Sequence, residues 1–331
     1  MLCRITRRWA IALVLLTHLT ASVAATEATT LRVGALQYGT VMWTLDVMQR
    51  HRLAERHGVN IEVVPLALKE SASVALQGGA VDVIVTDWIW VARQRSEGRD
   101  YAFVPYSRAV GGVMVRPDAG IDTFADLRGH RLGVAGGALD KSWLLLRAYA
   151  RASEGVDATQ WLDASFAAPP LLNTLMLKGE LPAVLNFWHY AARLRASGMR
   201  ELLGIDEVLR GLGVEGDLPM LGWAFRETWA ARHPEAVVGL LRAARQAAQI
   251  MRDSDAEWQA LRVQVRAEDD ATLAALRDGF RAGIPRGDAA QAERTAAQVF
   301  DILARTGGAA LVGAATTLPP GTFWQRPGAR P

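Results

Sequence analysis

From Leu31 onward, short apolar runs alternate with amphipathic stretches along the chain. Leu31 to Leu36 alternates and then turns apolar, as a strand entering a buried sheet does. Val41, Leu45, Met48 and Leu53 have helical spacing, which predicts a helix over 41–53 with Gly58 closing its carboxyl end. The pattern then repeats: strand over 60–66, helix over 70–77, strand over 81–86, helix over 88–94, and an apolar segment over 101–106. Strands and helices in this rhythm predict right-handed βαβ units and a mostly parallel sheet. Gly111-Gly112 opens a strand-like run to Pro117, where the chain is expected to leave one lobe for another. A capped turn with Asp122 as N-cap and Gly129 after its last turn follows, then a strand over 131–134 and a helix over 141–152. A second alternating block runs through Leu181–Asn186 to about Leu209. The Gly-rich stretch Gly211–Asp217 reads as the return crossing, and Leu218–Phe225 as re-entry into the first sheet. The remainder is mostly helical: Pro234 suits a first helical position, and Gln291–Ala304 forms an amphipathic helix. The tail after Leu318 holds four prolines and is expected to be surface coil.

One unit occurs twice. Ala75–Trp88 (ALQGGAVDVIVTDW) is echoed by Leu175–Trp188 (LMLKGELPAVLNFW), so that Gly79 answers Gly179, Val85 answers Leu185 and Trp88 answers Trp188. Each copy reads as helix end, Gly turn, short apolar strand, and polar or aromatic cluster. Ligands bind outside the carboxyl ends of strands in open α/β sheets, so two such ends in similar halves predict a cleft.

Charge and composition change the picture mainly at the start of the chain. Arg4, Arg7 and Arg8, the apolar run Trp9–Leu16 and the small residues Ala21–Ala25 have the order of a secretory signal peptide over 1–25. The apolar run is shorter than the roughly 20 residues a membrane span needs. Its removal takes away three arginines and no acid, leaving basic and acidic side chains in equal number. The overall +3 is then a targeting feature with no bearing on nucleic acid. It also removes Cys3, the only cysteine, and with it any disulfide, thiolate metal site or cysteine nucleophile. The 300 or so remaining residues are enough for two lobes. The expected lobes are 31–111 with 217–317, and 112–216, followed by a tail over 318–331.

The segments LRVGALQYG, LQGGAVDVIVTDW, FADLRGHRLGV, KGELPAVLNFWHYAARL and HPEAVVGLLRA occur in that order. The set resembles periplasmic solute-binding proteins of ABC transporters, of the nitrate/sulfonate/taurine type. The resemblance implies a two-lobe type II periplasmic binding fold, with mostly parallel sheets flanked by helices and two crossover strands as the hinge. It further implies a small organic solute held between the lobes, and delivery from the periplasm to a permease and its ATPase. A monomer that binds no nucleic acid, and needs no cofactor or metal, is the expected form. Ligand residues vary within that family, so the resemblance locates a cleft without naming its contents. Relatives that synthesise a pyrimidine rely on a cysteine-rich motif that the processed chain lacks.

No catalytic signature stands out: GxSxG, HExxH, the GxxxxGK[ST] loop and a strand-led GxGxxG are all missing. His51, His57, His130, His189 and His233 are expected at the surface or at caps, since none pair at metal-ligand spacing. Binding chemistry gathers instead at strand ends. Gln37, Tyr38, Gly39 and Thr40 follow the first strand, offering an amide, an aromatic face and free backbone N–H groups. Thr86, Asp87 and Trp88 end the third strand; Asp87 serves equally well as ligand acceptor or helix N-cap, and Trp88 as a stacking wall. Gly136, Gly137 and Ala138 precede a helix and form either an anion site or a plain loop. Asn186, Phe187, Trp188 and His189 close the echoed unit, with Asn186 suited to amide recognition and Trp188 to a stacking wall or a core position. Trp223 lies beside the return crossing. Asp87 disfavours a bare anion and the glycine-led helix favours one, so a zwitterion or uncharged heteroaromatic reconciles them. An exported lyase or hydrolase using the same cleft, or a ligand-presenting partner of a membrane sensor, are the competing functions.

Overall fold

Two five-stranded sheets organise the computed structural model, which describes residues 29–325. The signal peptide expected over 1–25 therefore lies outside the described residues. The first half contributes β1 (Thr29–Leu36), α1 (Val41–Arg50), α2 (Leu53–Arg56), β2 (Val59–Leu66), α3 (Lys69–Gln77), β3 (Val83–Asp87), α4 (Trp88–Ser96) and β4 (Tyr101–Ser107). The chain then crosses into β5 (Gly112–Val115), β6 (Arg131–Ala135), α5 (Lys141–Glu154), β7 (Asp163–Ala167), α6 (Pro169–Leu177), β8 (Ala183–Asn186), α7 (Trp188–Ala196), β9 (Arg200–Gly204) and α8 (Ile205–Gly211). It returns through β10 (Leu221–Arg226) to α9 (Glu227–Arg232), α10 (Pro234–Asp253), α11 (Asp255–Leu261), α12 (Asp270–Ala282), α13 (Ala289–Gly307) and α14 (Ala309–Val312). Among the described residues no helix is long and apolar enough to cross a membrane.

The sheets have the same plan. Their orders are β2-β1-β3-β10-β4 and β7-β6-β8-β5-β9. In each, the two crossing segments supply one antiparallel strand: β10 lies between β3 and β4, and β5 between β8 and β9. Four of five strands in each sheet thus share one direction, and both sheets point their carboxyl ends at the cleft between them.

The echoed units occupy equivalent places in the two sheets. Gly79 and Gly179 both adopt left-handed backbone, at φ +73° and +81°, a region that strains any residue with a Cβ. The residues after them, Ala80 and Glu180, each donate an N–H at 2.9 Å to the carbonyl five positions back, of Ala75 and Leu175. The repetition in sequence is therefore one helix-stop geometry used twice.

Several local expectations need correction. The helix foreseen over 41–53 breaks because Arg52 takes a left-handed conformation (φ 52°), which splits it into α1 and α2. Asp122 is no N-cap: its own N–H and that of Thr123 donate to the Asp126 carboxylate, and only Ala125–Leu127 turn helically. The tail is not free coil. Phe323 is buried against Phe103 and Trp88, and backbone bonds of 2.8 Å tie Thr322 and Trp324 to Phe103 at the edge of the first sheet.

The C-terminal third also does more than complete the first lobe. α10 packs on α1 and α2, but α12 lies along α7 and α13 along α5, both helices of the second half. The crossings are joined to each other as well. Arg108 of the first pairs with Asp217 of the second at 3.1 Å, while the Asp217 carboxylate accepts from the N–H groups of Arg286 and Gly287.

Candidate functional site

A cavity of about 260 Å³ lies between the two sheets, with room for roughly nine waters' worth of volume. Its walls come from strand ends of both halves: Leu36, Gly39 and Thr40 after β1, Thr86 and Asp87 at the end of β3, Lys141 and Ser142 at the start of α5, and Phe187, Trp188 and His189 after β8. Val110 and Gly111 of the first crossing, and Met220 and Leu221 of the second, close one side. Most of this lining is apolar; the polar groups are few and placed.

Asp87 is the centre of the charged part. Its carboxylate caps α4 by accepting the Trp90 N–H at 2.8 Å. It also accepts from Lys69 Nζ at 2.5 Å and Lys141 Nζ at 2.8 Å. Lys69 opens α3 in the first half and Lys141 opens α5 in the second, so the Asp87–Lys141 pair spans the cleft. Burial works against the Asp87 charge, but Lys141 and Lys69 outweigh it and hold its carboxyl well below the usual range. The pKa of Lys69 is raised, because Asp87 overcomes its loss of solvation. Lys141 is pushed down by burial in spite of Asp87, with Lys69 adding repulsion. Asp140 caps α5 through the Ser142 and Trp143 N–H groups, and burial raises its pKa.

Two further residues that line the cavity each hold a buried polar atom without a partner among the described residues. Thr86 Oγ1 is buried and makes no hydrogen bond within the described residues. The same holds for His189 Nδ1. Tyr106, by contrast, shares a 2.7 Å bond with Thr44. Burial, with Arg193 nearby, brings the His189 pKa down to about 3 from 6.5.

That shift has a sign. The unfolded chain takes up a proton near pH 6.5 while the folded imidazole stays neutral, so stability is complete above that pH and falls as pH drops towards 3. The slope attributable to one such group is at most about 1.4 kcal/mol per pH unit. His189→Asn should flatten the fall between pH 7 and pH 5 in urea unfolding; an unchanged pH dependence would mean the imidazole is not held neutral.

The residues foreseen from sequence separate into three groups. Gly39, Thr40, Thr86, Asp87, Phe187 and Trp188 line the cavity. Gln37 and Tyr38 border a neighbouring one instead. Trp88, Trp223, Asn186 and Gly136–Ala138 border neither. Trp88 is fully buried against Phe323, and Trp223 against Tyr106 on the other face of the sheet. The Asn186 amide is consumed internally, donating to Pro169 O and Asn173 Oδ1 and accepting from the Phe187 N–H. The glycine-led anion site fails because the Asp140 carboxylate already occupies the N–H groups at the start of α5.

Sequence reasoning missed Lys69, Lys141, Ser142, Tyr106 and His189. For Lys141 a signal existed: it is the first residue of the foreseen helix after a strand end, four positions beyond Gly137, one of the glycines that drew attention. For His189 the signal was its place directly after Trp188 in the echoed unit; its burial was not legible, since the cleft that buries it is formed by residues distant in sequence.

Residues 55–257 match the family model described as NMT1/THI5 like. The chain belongs to the NMT1/THI5-like family. No curated protein matches it. Among solved structures, this NMT1/THI5-like chain is similar to the periplasmic aliphatic sulphonate binding protein SsuA from Escherichia coli, at 19% identity and a TM-score of 0.71, over 90% of this chain and 92% of that one. It is also similar to the alkanesulfonate-binding protein SsuA from Xanthomonas axonopodis pv. citri, bound to MOPS (19%, TM-score 0.68, 90% and 99%). A third is the periplasmic nitrate-binding protein NrtA from Synechocystis PCC 6803 (12%, TM-score 0.59, 90% and 93%). At these identities the likeness establishes the two-lobe fold for this member of the family.

Proposed function

We propose that this NMT1/THI5-like protein is the periplasmic solute-binding component of an ABC importer, and that its solute is a small organic anion. The lobes are 31–111 with 217–317, and 112–216; the signal peptide over 1–25 exports the chain, and the closed form of the monomer docks on a permease. The observation that carries the reading is the cluster of Lys69 and Lys141 around the carboxylate of Asp87, set in a mostly apolar cavity beside the unpartnered Thr86 hydroxyl. Asp140 also lines the cavity, so two cations face two carboxylates there; both carboxylates are already engaged, Asp87 by the lysines and Asp140 by its own helix, while each ammonium keeps N–H donors for a ligand. Asp87 thus no longer argues against an anion, and the zwitterion is not needed. Solved structures of similar fold that bind sulfonates or nitrate support the same class.

Contacts from both lobes would favour the closed state, since the open state offers only one set. Thermal shift against alkanesulfonates, alkanecarboxylates and alkylamines of matched length tests this. An anion at 100 times its Kd should add about 2.7 kcal/mol. Stabilisation by amines alone would overturn the anion assignment. Mass spectrometry of the recovered ligand should find it unchanged; turnover would favour the exported-enzyme reading.

A further inference from the structure

A second cavity of about 560 Å³ adjoins the first and shares Gly39 and His189 with it. It opens between the loop after β1, the start of α7, and the loop over 263–266 that joins α11 to α12. Its chemistry differs sharply from that of the first. Arg193 and Arg266 border it, together with Tyr38, Tyr190 and Gln37, and no aspartate or glutamate does.

Neither arginine has a carboxylate partner among the described residues. Arg193 donates only to backbone carbonyls, Arg266 O at 2.9 Å and Val265 O at 2.6 Å. Arg266 lies 4.2 Å over the ring of Tyr38. Glu268 acts on Arg193 through space but makes no ion pair with it. Elsewhere in this protein arginines pair freely, as Arg32 does with Asp82 and Arg147 with Asp157. A half-buried guanidinium whose only partners are neutral carbonyls, facing a cavity beside a second guanidinium, is a site suited to a carboxylate or sulfonate. His189 borders both cavities and forms part of the wall between them.

We infer that the second cavity is a subsite for the acidic far end of an elongated ligand whose near end sits by Lys69, Lys141 and Thr86. The inference rests on the reading of the first cavity as an organic-anion site and narrows its substrate class to bifunctional anions. A purely apolar tail would desolvate Arg193 and Arg266 without compensating them, and a cationic tail would meet both at close range.

Isothermal titration of the full processed chain with straight-chain monosulfonates and α,ω-disulfonates of equal length provides the test. At one chain length the disulfonate should bind at least about tenfold more tightly than its partner, as expected for a charge-assisted bidentate contact. In Arg266→Met and Arg193→Met that ratio should fall below about twofold. Arg266→Met is the cleaner variant, because Arg193 also holds the 263–266 loop. A wild-type ratio near one at every length, with the monosulfonate bound, would overturn the second subsite alone. A ratio that survives both substitutions would also overturn it. Failure of every sulfonate to bind would remove the organic-anion reading and the inference with it.

Discussion

Asp87→Ala is expected to lower the stability of the folded protein by about 3–5 kcal/mol, the range seen when one partner of a buried ion cluster is removed. The effect is large because one carboxylate holds three elements. It caps α4 through Trp90, fixes Lys69 of α3, and reaches Lys141 of α5 across the cleft. Truncation leaves two ammonium groups facing each other, with Lys141 mostly shielded from water. Asp87→Asn should cost less, since the amide oxygen still caps α4 while the charge is lost. Urea unfolding at pH 7 distinguishes the three proteins, and small-angle scattering should show Asp87→Ala more open. The pH dependence follows from the depressed carboxyl. Its stabilisation is present above the ordinary carboxylate range near pH 4 and is lost as acid protonates the unfolded chain below that. A loss under about 1 kcal/mol for Asp87→Ala would place the cluster with weakly coupled surface pairs.

Trp88→Ala and Trp188→Ala should both be severe, and should differ in kind. Each removes a large buried ring, for which truncation costs about 3–5 kcal/mol. Trp88 faces the core with Phe323 and does not border the cavity, so its variant should bind ligand as before under conditions where it is folded. Trp188 stands edge-on to Trp43 at 5.7 Å, seats against Gly279 of α12, and lines the cavity. It joins the halves as well as forming the wall. Its variant should lose about tenfold or more in affinity besides the stability, from lost apolar contact and a looser closed state. Calorimetric titration and thermal melts on both variants make the comparison. Equal binding defects would contradict the opposite faces assigned to the two rings.

The echoed unit shows how far the residues alone could lead. Gly79 and Gly179 stop helices by the same hydrogen bonds, and the strands after them end at the same cleft. Helix stops and apolar strands are local properties, encoded by neighbours within a few positions, and were therefore legible. Which way the following side chains point was not legible. Trp88 and Trp188 hold the same place in sequence, yet one packs beneath the sheet against a C-terminal tail and the other packs across the cleft against α1 and α12. Their partners lie far along the chain in both cases.

The same distinction governs the charges. Asp87 could be read as an N-cap or as a ligand acceptor; it is a cap and also the counter-ion of two lysines. No spacing connects residue 69 or 141 with residue 87. Asn186 appeared available because its strand end was recognised, but Asn173 and Pro169, brought up by α6, use its amide.

The sequence by itself determined the alternation of strands and helices, the repeated half and the order of the crossings, since these depend on periodicity and on glycines a few residues apart. Tertiary structure decided which strand-end groups remain free for a ligand. Charge pairing, burial and the facing of a side chain depend on what arrives from the other lobe, and only the tertiary fold brings Lys69, Asp87 and Lys141 together.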